Sequence, residues 1–383
     1  MGNRNTRMKS LDVLRGWCMI AILFFHTQIY YLGDDAVPYT MYVPNALALF
    51  YLTAGFFAHR RPQSTGEILR HIFSRLVVPY IIFTLILGVV KQFIIMDYFS
   101  IRVLASNILS GRASWFIAAL IIIEVIMLFV RKICKDSSWA ILLAGLAGMV
   151  IAYFIQRAPG ASSNFVGGIP FAIPPALLGL FFYAIGILFQ RHLLPLIPKP
   201  SPLGYVLRNG NSNCDKVRRT VRYTWYWLIP VLLAFFFIKI WEAINGYEFL
   251  FASLWANPYW LFILDMLLGS VGIISLFVLL WPDTHIQKKD ESLKIGDDRI
   301  YHFMSPAWIG MNCLVFYFFA GAVPMAVTLF FKKTLFATAS SVWYSDPGFW
   351  LCLIAIIAVT SAIALTIYTW LPFLIGKTKK DNK

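Results

Sequence analysis

Runs of about twenty apolar residues, each long enough to cross a bilayer as a helix, recur along this chain and decide its class before any motif is considered. Such runs fall at 12–32, 44–60, 77–96, 114–131, 138–156, 173–190, 224–244, 258–281, 303–325 and 349–372. The second is short, and the ninth has room to continue past Pro324 toward Phe331. Of the 383 residues, 59% are hydrophobic and 13% charged, where soluble domains carry about 45–50% and 25%. The chain is therefore predicted to be an all-α polytopic membrane protein: one domain over 1–383, a bundle of about ten transmembrane helices. The longest polar stretch, Lys199 to Arg222, is too short and too poor in core residues to fold alone.

The formal charge of +15 suggests a nucleic-acid partner only until its distribution is read. Arg4, Arg7 and Lys9 precede the first run, and Arg60, Arg61, Arg70 and Arg75 follow the second. Arg131, Lys132 and Lys135 follow the fourth, a basic loop spans 191–223, and Lys288, Lys289, Lys294 and Arg299 follow the eighth. Lys377, Lys379, Lys380 and Lys383 end the chain. Every second loop is basic, which places those loops and both termini in the cytoplasm and removes the case for nucleic acid. The five cysteines, Cys18, Cys134, Cys214, Cys313 and Cys352, have no paired spacing, so neither a disulfide framework nor a metal site is expected.

The first run carries the chemistry. Within Ser10 to Tyr31 it holds Asp12, Arg15 and, well inside, His26. Eleven positions on a helix close three turns with about 20° left over and a rise of about 16 Å. Arg15 and His26 thus look out from one face, the first at the head-group level and the second near mid-membrane. Ionisable groups inside lipid are functional candidates. A neutral imidazole suits a general base, whereas its plain alternative is a hydrogen bond between helices. A guanidinium at the boundary suits phosphate oxygens; it could equally reach the head groups, paired with Asp12. Asp12 stands about 21 Å from His26 along the axis, so it can position Arg15 but not the histidine.

Other candidates are more ambiguous. Arg70, His71 and Arg75 lie before Pro79 at the start of the third run, forming with Arg15 either a cationic inner mouth or ordinary positive-inside charge. Trp115 opens the fourth run at its outer end, where a belt tryptophan is common. Glu124 lies within the fourth run, and Lys91, Lys239, Glu242 and Asp265 map to outer halves of their runs. With Trp255, Tyr259 and Trp260 nearby, these would suit a sugar in an outer vestibule, or they pair with one another inside the bundle.

LDVLRG at 11–16, with Arg15 and then His26, is followed by LFYLTAGFF at 49–57, basic residues before Pro79 and Tyr80, and WFIAAL at 115–120. Together they resemble the acyltransferase family 3 membrane proteins over the first third of the chain. The resemblance implies about ten core spans in a bacterial-type cytoplasmic membrane. It implies transfer of an acyl group, acetyl or succinyl, from cytoplasmic acyl-CoA to a hydroxyl of a cell-envelope carbohydrate or glycolipid. It further implies that His26 is catalytic, Arg15 essential, and Arg75 and Trp115 functional. The family often has two arginines three apart here, and Ile72 stands at the first of these positions, so Arg70 or His71 would have to compensate.

On this reading the CoA phosphates meet Arg15, Arg75 and one of Arg218, Arg219 or Arg222, with no metal. Asp12, Arg70, Glu124 and Asp265 are the remaining substrate-binding candidates. His26 acts as general base or as transient acyl carrier. The rival reading is a proton-coupled transporter with His26, Glu124 and Asp265 as its relay.

Overall fold

The computed structural model describes residues 8–58, 64–95, 99–111, 114–157, 172–194, 213–251, 254–280, 302–334 and 343–376. Of the basic loop residues named above, Arg4, Arg7, Arg60, Arg61, Lys199, Lys288, Lys289, Lys294, Arg299, Lys377, Lys379, Lys380 and Lys383 lie outside the described residues. So do the side chains of Lys91, Arg218, Arg219, Arg222 and Trp255.

Helices α1 (Lys9–Thr27), α2 (Val43–Ala58), α3 (Thr65–Ile72) and α4 (Val78–Ile95) come first. They are followed by α5 (Ile101–Ser110), α6 (Trp115–Ile133), α7 (Ser138–Arg157), α8 (Ile173–Leu188) and α9 (Asn213–Asn245). A two-stranded ribbon, β1 (Phe249–Leu250) against β2 (Trp255–Ala256), precedes α10 (Tyr259–Leu280). Then come α11 (Pro306–Met311), α12 (Cys313–Phe319), α13 (Ala322–Thr334) and α14 (Pro347–Trp370). Among the described residues the regular structure is helical apart from that small ribbon, which the all-α expectation did not include.

Among the described residues, seven helices are long and apolar enough to span a membrane, or nine if the bent pairs α5–α6 and α12–α13 each count as one span. Val43–Ala58, with 16 residues, is shorter than the roughly 20 that a perpendicular crossing needs. The third expected span starts earlier than 77, because Ser64 and Glu67 form a capping box and the helix runs from Thr65 through a π-helical turn, Phe73–Val77, into α4. The ninth, expected at 303–325, is instead broken into three pieces ending at Thr334. Asn312 marks the first break: its amide donates to the Trp308 carbonyl at 2.9 Å, a side-chain bond that competes with the helix backbone.

The core forms where small residues let backbones meet. Gly55 abuts the Tyr183 carbonyl and Gly186 the Leu52 carbonyl, which seats α2 on α8; Gly145 and Gly148 seat α7 on α8 in the same way. Close approach at glycine gains packing that apolar side chains facing lipid-like neighbours cannot supply. Helix α1 is the hub, packed against α2, α10, α11, α12, α13 and α14. Helices α4, α7, α9 and α14 line the outside, exposing residues such as Phe93, Phe154, Phe237 and Ile354.

Contacts define two ends of the bundle. At one, Asp12 and Gly16 meet α11, and Arg131 donates to the Ala58 carbonyl at 3.3 Å. At the other, Thr40 accepts from the backbone of Phe249 at 3.1 Å, and Gln156 donates to the Ala256 carbonyl at 2.8 Å.

Candidate active site

Arg15 sits at the first of these ends, half-buried. Its Nη2 donates to the Cys313 sulfur at 2.7 Å, and Asp12 and Tyr368 lie within electrostatic range. The arrangement depends on glycine: a Cβ on Gly16 would fall on the carbonyl of Pro306, and one on Gly310 on the carbonyl of Asp12. Asp12 is buried beside Arg15. One turn beyond Tyr368, the turn Pro372–Ile375 packs on Phe73–Val77, with Gly376 (φ +65°) directly against the Ser74 carbonyl. Arg75 is half-buried in that π-helical turn, whereas Arg70 is exposed on α3. The last helix therefore brings Arg15 and Arg75 to one end of the bundle.

Between Arg15 and His26 the same helix face carries Cys18, Met19 and Ile22, all buried, while Trp17 on the other side is 50% exposed. The face that holds the two candidates is turned inward, away from lipid, and is filled by these three side chains. His26 is half-buried. Its ring lies 5.5 Å from that of Phe25 and stacks on Tyr30 at 6.2 Å. Among the described residues no side chain or backbone group hydrogen bonds to it, so its nitrogens are available for other chemistry.

Phe25 links this region to Trp115. Its ring is 5.0 Å from Tyr39; the Tyr39 hydroxyl is hydrogen bonded to the backbone of Phe251, and Phe251 stacks on Trp115 at 6.3 Å. Tyr51 and Tyr317 complete the cluster. The hydroxyls of Tyr39, Tyr51 and Tyr317 lie within electrostatic range of one another, and the buried Tyr51 hydroxyl has no partner among the described residues. Buried phenols ordinarily find partners, so this is polar capacity held inside an aromatic wall. The sequence reading missed Tyr39, Tyr51, Tyr317 and Cys313. In a chain that is 17% aromatic, no spacing singles them out.

The remaining candidates sit elsewhere. Glu124, half-buried on α6, faces Tyr183 of α8. Asp265 is fully buried in a charge cluster: Lys239 Nζ donates to its Oδ2 at 2.7 Å, to Glu242 Oε2 at 3.0 Å and to the Thr40 carbonyl at 2.9 Å. Asn45 adds a bond to Asp265 at 3.3 Å. Of the two arrangements open for these outer-half charges, the structure has the internal pairing. Among the described residues no group of three or more His, Cys, Asp or Glu is placed to hold a metal ion.

A bundle of apolar helices, with an arginine and a histidine on the inward face of its central helix, defines an integral membrane protein. Residues 8–369 match the profile of acyltransferase family 3, described as an acyltransferase domain, and the chain belongs to that family: it is a membrane acyltransferase. No curated protein and no solved structure matches it.

Proposed function

We propose that this acyltransferase takes an acyl group, acetyl or succinyl, from cytoplasmic acyl-CoA and places it on a hydroxyl of a cell-envelope carbohydrate. The observation that carries the reading is the inward face of α1, which presents Arg15 at one end of the bundle and an unbonded His26 near the other. Guanidinium groups recognise phosphate oxygens through their planar donor fork, so Arg15 and Arg75 take the CoA phosphates. The pantetheine arm follows the face toward His26, displacing Met19, whose unbranched thioether chain adapts readily.

At His26 the imidazole removes the proton of the acceptor hydroxyl, and the oxygen attacks the thioester carbonyl. The carbon–sulfur bond then breaks, and the imidazolium returns its proton to the departing CoA thiolate. In the two-step variant a ring nitrogen attacks the thioester carbonyl and CoA leaves, taking the ring proton as its thiol; the acceptor hydroxyl then attacks the acyl-histidine, the carbon–nitrogen bond breaks and the freed imidazole takes the hydroxyl proton. The Trp115 indole N–H is one donor for the developing oxyanion, and the orphan Tyr51 hydroxyl another. Asp12, buried beside Arg15, supports the path at its inner end.

In this reading Val43–Ala58 also crosses the membrane, which brings the count to about ten. An even count returns both termini to the cytoplasm, as the basic loops favour. The membrane is the bacterial cytoplasmic one, its lipids the direct partners.

The test is His26→Ala in purified, monodisperse protein given labelled acetyl- or succinyl-CoA. Transfer is expected to fall by about a hundredfold or more with the melting behaviour kept; substantial residual turnover would refute the role. The buried carboxylates around Lys239 favour one second reading, a proton-coupled transporter. Solute accumulation in liposomes driven by a pH gradient, without acyl transfer, would select it.

A further inference from the structure

The two helices that frame the ribbon end of the bundle, α7 and α10, enclose a cavity of about 550 Å³. None of its lining residues is Arg15, His26 or Trp115, so it is separate from the centre discussed above. Its size lies in the range of small-molecule sites, about 300–1,000 Å³. Its wall is graded. Met149, Val150 and Phe154 make the lower part on α7, with Phe154 66% exposed, and the upper rim carries Arg157, Asn257 and Trp260, the last also 66% exposed. From Met149 to Arg157 the helix rises about 12 Å, roughly from acyl chain to head group.

Arg157 is the only full charge on that rim. Its guanidinium lies over the Tyr153 ring, 5.5 Å from the centroid. Among the described residues no carboxylate pairs with it, and residues 158–171, which follow it directly, contain no acidic side chain. The exposed Asn257 amide adds neutral hydrogen-bonding capacity. A net positive rim above an apolar, aromatic floor, opening sideways between two helices, matches one kind of molecule in polarity along its whole length.

We propose that the α7–α10 cleft binds an anionic phospholipid, its phosphate on Arg157 and Asn257 and its acyl chain along Val150, Phe154 and Ile263. Charge selects the anionic class. A zwitterionic head group brings a quaternary ammonium that the aromatic rim attracts but Arg157 repels, and a free phosphate would leave the apolar floor unused.

The full chain, solubilised in detergent, is titrated with phosphatidylglycerol and with phosphatidylcholine of the same chains, and bound lipid is counted by native mass spectrometry. The expected result is retention of phosphatidylglycerol about fivefold above phosphatidylcholine, the preference that one arginine at a membrane surface supplies, and loss of that preference in Arg157→Gln. Excess inorganic phosphate is expected to leave the bound lipid in place. Equal retention of the two lipids by the unaltered protein overturns the proposal, as does an unchanged preference in R157Q. Displacement by inorganic phosphate would likewise overturn it, making the site one for the ion alone.

Discussion

Arg15 donates to the sulfur of Cys313 across 2.7 Å, joining the first helix to one that lies 298 residues further along the chain. A guanidinium can hold this bond and still present its other N–H groups to phosphate oxygens, because its five donors point in fixed, separate directions. A lysine ammonium is a point charge without that fork. Arg15→Lys should therefore insert and fold, yet bind acyl-CoA poorly. The expected signature is a rise of about tenfold in the KM for acyl-CoA with a smaller change in kcat, read from initial rates over a range of donor concentrations. An unchanged KM would remove Arg15 from the donor site.

The crossing beside it makes a second test. Gly310 has the Asp12 carbonyl where a side chain would go, and Gly16 has the Pro306 carbonyl. Backbone cannot swing aside as a side-chain tip can. Gly310→Ala should cost about 3 kcal/mol or more, the upper range for overpacking, and lower the melting midpoint in detergent. Gly66 on α3 has nothing within 4 Å of its would-be Cβ. Gly66→Ala should be neutral or slightly stabilising through helix propensity. Equal behaviour of the two variants would contradict the close crossing.

These positions mark what the sequence could convey. Helical periodicity is local, so the shared face of Arg15 and His26 is legible from spacing alone, and the structure turns that face inward. The extension of α3 back to Thr65 was also written in the chain, in the Ser64–Glu67 capping pair, but apolar length alone passes over so polar a helix. Long-range partners carry no such mark. Nothing near Cys313 announces Arg15, and nothing near Tyr317 announces Tyr39, because these pairings arise only when α1 is wrapped by the last third of the chain. Asp265 and Lys239 were each visible as an intramembrane charge. Their pairing was one of two readings until α9 and α10 were placed side by side.

At the Arg15 end a second clasp ties the helices together, and it titrates. Asp136 accepts from Arg131 Nε at 2.6 Å and pairs with Arg191 Nη2 at 2.6 Å, while Arg191 also donates to the Asp136 carbonyl at 2.9 Å. Partial burial works against the charge of Asp136, but its bonds to the two arginines outweigh this and hold its carboxyl below the usual carboxylate range. A depressed folded-state pKa contributes stability that is fully present above the unfolded value, near pH 4, and is lost as pH falls through the folded value. Melting temperature should therefore drop on acidification below about pH 4 more steeply in the unaltered protein than in Asp136→Asn. At neutral pH the variant should be the less stable of the two. Parallel acid limbs would show that the clasp does not contribute.

The Lys239 cluster gives the sharpest contrast, because two buried acids share one ammonium. Two carboxylates, Asp265 and Glu242, face one ammonium, and all three residues are at least nine-tenths buried. Asp265 Oδ1, Glu242 Oε1 and Asn45 Oδ1 have no hydrogen-bond partner among the described residues. Removing the ammonium strands two acids at once, and breaking a buried pair from one side costs about 3–5 kcal/mol, so Lys239→Met should be severely destabilised. Glu242→Gln should cost far less, since it leaves one acid for one ammonium and keeps the shorter Lys239–Asp265 pair intact. Urea or thermal unfolding in a fixed detergent ranks the two directly. Should E242Q prove as damaging as K239M, charge balance does not govern this site, and Glu242 must hold its place through contacts other than the bond to Lys239.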